Sequence, residues 1–401
     1  MFEHVKAAAP DPILGLSEAF GRDERPGKIN LAVGVFKDAQ GRTPVLESVR
    51  GAERRLVEEE QTKSYMPIGG SPAFAAAARG LLLGADHPLL EAGRVVTFQT
   101  PGGTGALRVV GDYLKQNHFG ATLWVSDPTW ANHHGIFGAA GLTVKPYPYL
   151  DPETNGLNIQ AMLGAAQGMK EGDVWLLHGC CHNPTGVDPT PDQWAQIAAA
   201  AKAYGVLPLV DFAYQGFGAG LTEDATGLRI LAETCPELLV CSSYSKNFGL
   251  YRERIGALSI IAADADTANR VGSQVKTSIR RNYSNPPAHG GEVVRMILED
   301  PALRTQWEAE LTAMRERIQT MRTAFQAGLD ERDVSLSASG NGFVSQQNGM
   351  FTMSGLNRSQ VDQLREDHAI YIVGSGRINV AGITPDNLGT LCDAIAAVTD
   401  A

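Results

Sequence analysis

The sequence predicts an α/β fold: a large unit on a mostly parallel, doubly wound sheet, joined by one long helix to a smaller α+β unit. Three observations carry that expectation. Between about residues 45 and 300, short apolar runs closed by turn residues alternate with helical patterns, as strand–helix–strand crossovers require. From Leu303 to about Leu329 the chain is one helical stretch rich in Glu, Arg, Gln, Met and Ala, which suits a connector better than a crossover. Beyond it, to Ala401, a smaller set of mixed elements follows.

The N-terminal residues 1–12 include Ala7-Ala8-Ala9-Pro10-Asp11-Pro12 and read as an extended arm, because proline biases the residue before it toward extended backbone. Ile29 to Val35 reads as a short strand, and Asp38-Ala39-Gln40-Gly41 as a turn. The sheet strands are expected at Arg94–Gln99, Thr122–Ser126, Leu142–Tyr147, Val174–His178, Val206–Asp211, Leu238–Cys241 and Ile255–Ile261. The clearest helix starts at Thr190, where Pro191 suits the first position and Gln193 completes a capping box. Trp194, Ile197 and Ala201 then recur at helical spacing, and Gly205 ends the helix. Asp300 is the expected cap of the long helix.

Bulk properties narrow the function. With 401 residues, 43% of them hydrophobic and 19% charged, the chain can bury two sizeable cores. A formal net charge of −10 argues against nucleic acid and anionic membranes as partners, so an anion-binding arginine must be placed locally. No apolar run reaches the roughly 18 residues of a spanning helix. Met1-Phe2-Glu3-His4-Val5-Lys6 shows no basic start followed by an apolar segment, and the five cysteines include no Cys-x-x-Cys pair. These features predict a reduced, cytoplasmic protein without structural disulfides or a metal site.

The most informative stretch is Ser242-Ser243-Tyr244-Ser245-Lys246-Asn247-Phe248-Gly249-Leu250-Tyr251-Arg252-Glu253-Arg254, directly after an apolar strand. Its lysine would stand at the carboxyl end of that strand, where open α/β sheets bind ligands. Hydroxyls and an arginine suit a phosphate. A lysine beside a phosphate site points to a Schiff base with pyridoxal phosphate, which carries both an aldehyde and a phosphate. Taken alone, a solvated polar loop is the plainer reading of this stretch.

Four other groups bear on it. Pro101-Gly102-Gly103-Thr104-Gly105 follows a strand and opens a helix, offering free amides to an anion. It lacks the G-x-G-x-x-G spacing and a Walker lysine, so a nucleotide-binding dehydrogenase is a distant alternative that leaves Lys246 unexplained. His182-Asn183-Pro184-Thr185-Gly186 stands at another strand end. Asp211-Phe212-Ala213-Tyr214 closes the next; a carboxylate there needs a cationic partner, and a protonated pyridine nitrogen is one. Arg280 and Arg377 stand beside turn or apolar residues and would suit a substrate with two carboxylates, whereas Arg281 reads as a surface arginine.

Asn183-Pro184-Thr185-Gly186, Asp211-x-x-Tyr214, Ser243-x-Ser245-Lys246-Asn247-Phe248-Gly249 with Arg254, and Ser375-Gly376-Arg377 together resemble the aspartate/aromatic aminotransferases, which are fold-type I pyridoxal-phosphate enzymes. The resemblance runs from Asp11-Pro12-Ile13-Leu14 to Val380-Ala381-Gly382. It implies that Lys246 carries the cofactor covalently as an aldimine and moves the proton. Asp211 would pair with the pyridinium nitrogen, with His133 behind it. Tyr214 and Asn183 would bond the phenolic oxygen, and Trp130 would stack on the ring. Gly103, Thr104, Ser243, Ser245 and Arg254 would hold the phosphate, with Tyr65 reaching in from a second subunit. Arg377, helped by Gly34 and Asn183, would bind the substrate α-carboxylate, and the partner's Arg280 the distal one.

The expected product is thus a cytoplasmic homodimer. Residues 44–312 would form the large cofactor-binding domain, and 13–43 with 313–401 the small one. Substrate preference is read from the mouth of the pocket: Val35, Lys37, Thr43, Ser64, Thr104 and Asn285. Five match the aspartate branch of the family; Ser64 departs from its usual Asn, and Phe36 from its usual Tyr. The expectation is a preference for aspartate and glutamate with secondary aromatic activity, the aromatic branch being the alternative.

Overall fold

The computed structural model describes residues 1–8, 13–118 and 120–399. Ala9, Pro10, Asp11 and Pro12 of the expected arm, and the last two residues of the expected small domain, lie outside them. Within the described part of the arm, Met1, Phe2 and Val5 are exposed.

All seven expected sheet strands form. They are β1 (Val95–Pro101), β2 (Thr122–Asp127), β3 (Thr143–Pro148), β4 (Val174–His178), β5 (Leu207–Phe212), β6 (Leu238–Ser243) and β7 (Ile255–Ile261). They lie side by side in the order β1-β7-β6-β5-β4-β2-β3. Pairing is parallel from β6 through to β3, and β7 alone runs antiparallel to both its neighbours.

Both faces of this sheet are buried, so the strands read as continuous apolar runs. Alternate residues serve opposite faces. Trp175, Leu177, Val210 and Val240 join one apolar cluster, while Val174, Leu176, Leu209 and Leu239 join another on the other side.

Helix α1 (Gly102–Asn117) leaves β1 directly, and α2 (Pro191–Ala203) begins with the expected capping box between Thr190 and Gln193. Helix α3 (Ala265–Asn282) follows β7 and carries Arg280 in its last turn. Helix α4 spans Pro301–Asp330, with the Asp300 carboxylate accepting from the amides of Ala302 and Leu303. Its Trp307, Leu311 and Ile318 lie in the first sheet cluster, and its Phe325 and Leu329 in a third cluster with Ile29, Leu31, Leu364, Ile370, Ile378 and Ile395.

One expected element is shorter than the sequence suggests. The strand read at Ile29–Val35 pairs only at Ile29–Asn30, in parallel with Ile370–Tyr371. Beyond Leu31 the chain leaves the ladder, because the Asn379 side chain takes the carbonyls of Val33 and Val35 at 2.7 and 2.9 Å. Gly34 then lies so close to the Phe351 ring that an added Cβ would stand 2.7 Å from it.

Candidate active site

The reversed strand β7 explains how the site is assembled. Its first residues lie at the carboxyl end of the sheet: Ile255 is paired with Pro101 of β1, and Gly256 with Ser243 of β6. Arg254, one residue earlier, is thereby delivered between the ends of two strands. It sits in the left-handed region at φ 57°, a backbone cost of about 1–3 kcal/mol for a non-glycine residue. Its Nη1 donates to Ser245 Oγ at 3.2 Å, and Ser245 Oγ accepts from Ser243 Oγ at 3.2 Å.

The N-terminus of α1 closes this cradle. Gly102 has φ 76°, and a Cβ there would meet Arg254 Nη2 at 2.3 Å. A Cβ on Gly256 would meet the Gly102 backbone at 2.4 Å. Two serine hydroxyls, a guanidinium and the free amides of a helix start are the donor set of a phosphate dianion.

Asp211, the last residue but one of β5, lies in register with His178 of β4. His133 Nε2 lies 3.0 Å from Asp211 Oδ2, Thr129 Oγ1 lies 2.8 Å from His133 Nδ1, and His178 Nε2 lies 3.2 Å from Thr129 Oγ1. Burial alone would raise the Asp211 carboxyl, but the His133 hydrogen bond and the charges of His133, His178 and Lys246 hold it below its usual range. Burial pushes His178 down to about 3, with His133 adding to the shift and Asp211 opposing it. An ionised carboxylate aimed into the cavity fits the protonated nitrogen of a pyridine ring.

Lys246 follows β6, with Nζ 4.9 Å from the centre of the Tyr214 ring. Burial brings its ammonium down to about 8, Asp211 opposing and Arg254 and Arg377 reinforcing. A neutral amine is the form that attacks an aldehyde. Tyr214 is buried, and that burial holds its phenol above the ordinary range.

Arg377 comes from the small strand Arg377–Asn379, paired antiparallel with Phe351–Met353. Its Nη1 donates to Asn183 Oδ1 at 3.1 Å and its Nη2 to Ala32 O at 2.6 Å. Its Nε is buried without a protein partner. Burial pushes Arg377 down to about 10, still cationic at neutral pH.

These groups surround one cavity of about 440 Å³. Gly34, Gly103, Thr104, Trp130, Asn183 and Asp211 line it, as do Tyr214, Ser243, Ser245, Lys246, Arg254 and Arg377. His133 stands behind Asp211, as expected. Tyr65 is 93% exposed, and Arg280 is exposed on α3, bonded to Ser284; neither lines the cavity. Of the six positions expected around its mouth, only Thr104 is on its wall. The expected surface arginine Arg281 is exposed and donates to Gln116 Oε1 at 3.2 Å.

Sequence reasoning missed Phe351 and Tyr251. The Phe351 ring lies 4.2 Å from the Arg377 guanidinium, and Tyr251 Oη accepts from the Phe36 amide at 2.9 Å; both line the cavity. Tyr251 falls inside the lysine stretch and could have been suspected there. Nothing in the sequence around Phe351 separates it from an ordinary core residue.

The sequence model of the aminotransferase class I and II family matches residues 26–395. The chain belongs to that family. It is 54% identical to the aspartate aminotransferase of Escherichia coli (strain K12) over 398 residues, covering 99% of this chain and 100% of that one. It is 48% identical to an aromatic-amino-acid aminotransferase of Pseudomonas aeruginosa, over 99% of this chain and 98% of the relative. Among solved structures it resembles an aromatic-amino-acid aminotransferase from Burkholderia pseudomallei covalently bound to pyridoxal phosphate, with a TM-score of 0.95, 47% identity and 99% of both chains covered.

This aminotransferase is therefore an enzyme of transamination in a family that depends on pyridoxal phosphate. That sets aside the dehydrogenase alternative. Among its described residues, no helix is long and apolar enough to cross a membrane.

Proposed function

We propose that this aminotransferase moves the amino group of aspartate or glutamate to a 2-oxo acid such as 2-oxoglutarate, accepts aromatic amino acids as secondary donors, and holds pyridoxal phosphate covalently on Lys246. The grouping of Lys246, Asp211, Arg254 and Arg377 on one cavity wall carries the reading. Gly103, Thr104, Ser243, Ser245 and Arg254 would hold the phosphate. Asp211 would pair with the ring nitrogen, Asn183 and Tyr214 with the phenolic oxygen, and Trp130 with the ring face. When bound, pyridoxal phosphate supplies an electron sink for the substrate Cα and a carbon that takes the amino group.

The chain's own residues would do the rest. Arg377 grips the α-carboxylate in a two-pronged fashion, and its partnerless Nε is one of the donors to be satisfied. Lys246 Nζ, with a pKa near 8, is suited to take the Cα proton and deliver it again. Asp211 stays ionised and keeps the ring proton in place. The second substrate, a 2-oxo acid, runs the same steps backwards in a ping-pong cycle.

Tyr65 and Arg280 would enter the site from a second copy, which fits their exposure away from this chain's own cavity. In such a homodimer, exposed Met1, Phe2, Val5 and Ile68 would find cover. The division into a large domain, 44–312, and a small one, 13–43 with 313–401, is supported by the separate apolar cluster that holds Ile29, Phe325, Leu364 and Ile395, while Phe36, Ile318 and Phe351 pack across the boundary into the first sheet cluster. The acidic charge and five buried, unpaired cysteines suit a cytoplasmic enzyme.

The preference for dicarboxylates rests on the match of Val35, Lys37, Thr43, Thr104 and Asn285 to the aspartate branch; of these, Thr104 lines this chain's own cavity. Ser64 and Phe36 are the positions that speak for the aromatic alternative. Comparing kcat/KM for aspartate and phenylalanine, with 2-oxoglutarate as acceptor, tests it. A higher value for phenylalanine would overturn the preference and leave the transamination itself standing.

A further inference from the structure

Arg322 on α4 is fully buried, yet no carboxylate among the described residues lies within ion-pairing distance of it. It spends its donors on main-chain carbonyls of one short segment. Nη1 donates to Val344 O at 2.9 Å; Nη2 donates to Gly349 O at 2.8 Å, Asn348 O at 3.2 Å and Phe351 O at 2.6 Å; Nε donates to Gly349 O at 3.2 Å. Burying a charge against dipoles alone is costly. A site needing only bulk would be served by an apolar side chain. Only a planar fork with five donors reaches four carbonyls at once.

The segment so held ends at Phe351, and there it meets the site. The Phe351 ring lies 4.2 Å from the Arg377 guanidinium, edge-on to Tyr214 at 5.9 Å, and fills the space beside Gly34. The other side of the segment is tied to the loop that carries Asn183. Asn348 N donates to Gly186 O at 2.7 Å, and Asn348 Nδ2 donates to Asp188 Oδ2 at 3.1 Å. Asp188 in turn accepts from the amides of Cys181 and His182 at 2.8 and 2.9 Å. Arg377 thus takes its plane from a ring fixed by Arg322, and one of its partners, Asn183, from a loop docked on the same segment.

We propose that Arg322 is a positioning residue for the substrate: by clamping the carbonyls of 344–351 it seats Phe351 under Arg377 and so sets affinity for the α-carboxylate. The inference rests on Arg377 being the α-carboxylate arginine. Arg322 itself does not line the cavity. Lysine at this position would keep a charge but offer a compact point donor in place of the fork, so it should loosen the clamp without emptying it.

The test uses the holoenzyme and the variants Arg322→Lys, Phe351→Leu and their double. Read-outs are KM and kcat for aspartate and phenylalanine, the dissociation constant of unreactive succinate by calorimetry, the thermal midpoint and the cofactor absorbance. Arg322→Lys should raise both KM values and the succinate constant together by about five- to tenfold, with kcat within about threefold and the absorbance unchanged. The double variant should lose less than the product of the single losses, because both changes act through one ring. A folded Arg322→Lys that binds succinate as the parent does, or losses that multiply, overturns the proposal. A merely structural role would lower the thermal midpoint and leave KM alone. Should Arg322→Lys not fold, Phe351→Leu decides: raised KM for both substrates supports the proposal, and parental values overturn it. Arg377→Ala is the separate control; if its affinity is unchanged, the assignment of the α-carboxylate fails, and not the clamp alone.

Discussion

His133 and Asp211 meet at 3.0 Å inside the protein, the imidazole fully buried and the carboxylate 8% exposed. The pair links a helix after β2 to the end of β5, and Thr129 and His178 brace it from behind. A carboxylate supported in this way is held ionised against the cost of its burial.

Asp211→Ala should therefore cost at least about 100-fold in kcat, roughly 2.7 kcal/mol of barrier. His133→Ala, which removes one support and leaves the carboxylate, should cost nearer tenfold, about 1.4 kcal/mol. Steady-state assay of both variants checks the order. Asp211→Ala within about tenfold of the parent would remove Asp211 from the chemistry.

Lys246 gives a pH prediction. Its ammonium loses the proton near 8 in place of the usual 10.5. The neutral fraction rises with pH, so roughly one amine in ten is neutral at pH 7. Recombination of cofactor-stripped enzyme with pyridoxal phosphate should speed up about tenfold per pH unit below 8 and level off above it. Stopped-flow absorbance measures this. A profile still rising steeply toward pH 10 would contradict the lowered pKa.

The two arginines should separate by substrate. Arg377→Ala should reduce kcat/KM for every amino acid by about 100-fold or more, since all share the α-carboxylate. Arg280→Ala should harm aspartate and glutamate far more than phenylalanine. Equal loss on all three would show that Arg280 does not read the distal carboxylate.

Gly102 and Gly164 make a matched contrast. At Gly102 the backbone is left-handed and a Cβ would strike Arg254, so Gly102→Ala should weaken cofactor binding about tenfold or more. Gly164 lies in a helix with nothing within 4 Å of an added Cβ, so Gly164→Ala should stabilise the fold by about 0.5–1 kcal/mol and leave cofactor affinity unchanged. Cofactor titration and urea unfolding of the two variants check the pair.

Much of this was legible in the sequence because the signals are local. The seven strands are dense apolar runs, α2 announces itself through Thr190 and Gln193, and Lys246 follows a strand end. Strand direction is not local: nothing in Ile255–Ile261 reveals that it runs against its neighbours, yet that reversal is what delivers Arg254 beside Ser243, Ser245 and the start of α1. The Phe351–Arg377 and Thr129–His178 contacts join residues far apart in the chain and carry no spacing to read. Ile29–Val35 was overread as a strand because Asn379, some 340 residues on, captures its last carbonyls.

If Lys246 carries the cofactor, chemical reduction will fix the two together. Reducing the purified holoenzyme with borohydride, digesting it and mapping the peptides by mass tests this most directly. One phosphopyridoxyl adduct is expected, on the peptide containing Lys246, with loss of the visible band and of activity. An adduct on another lysine, or none at all in a protein that still transaminates, would contradict it.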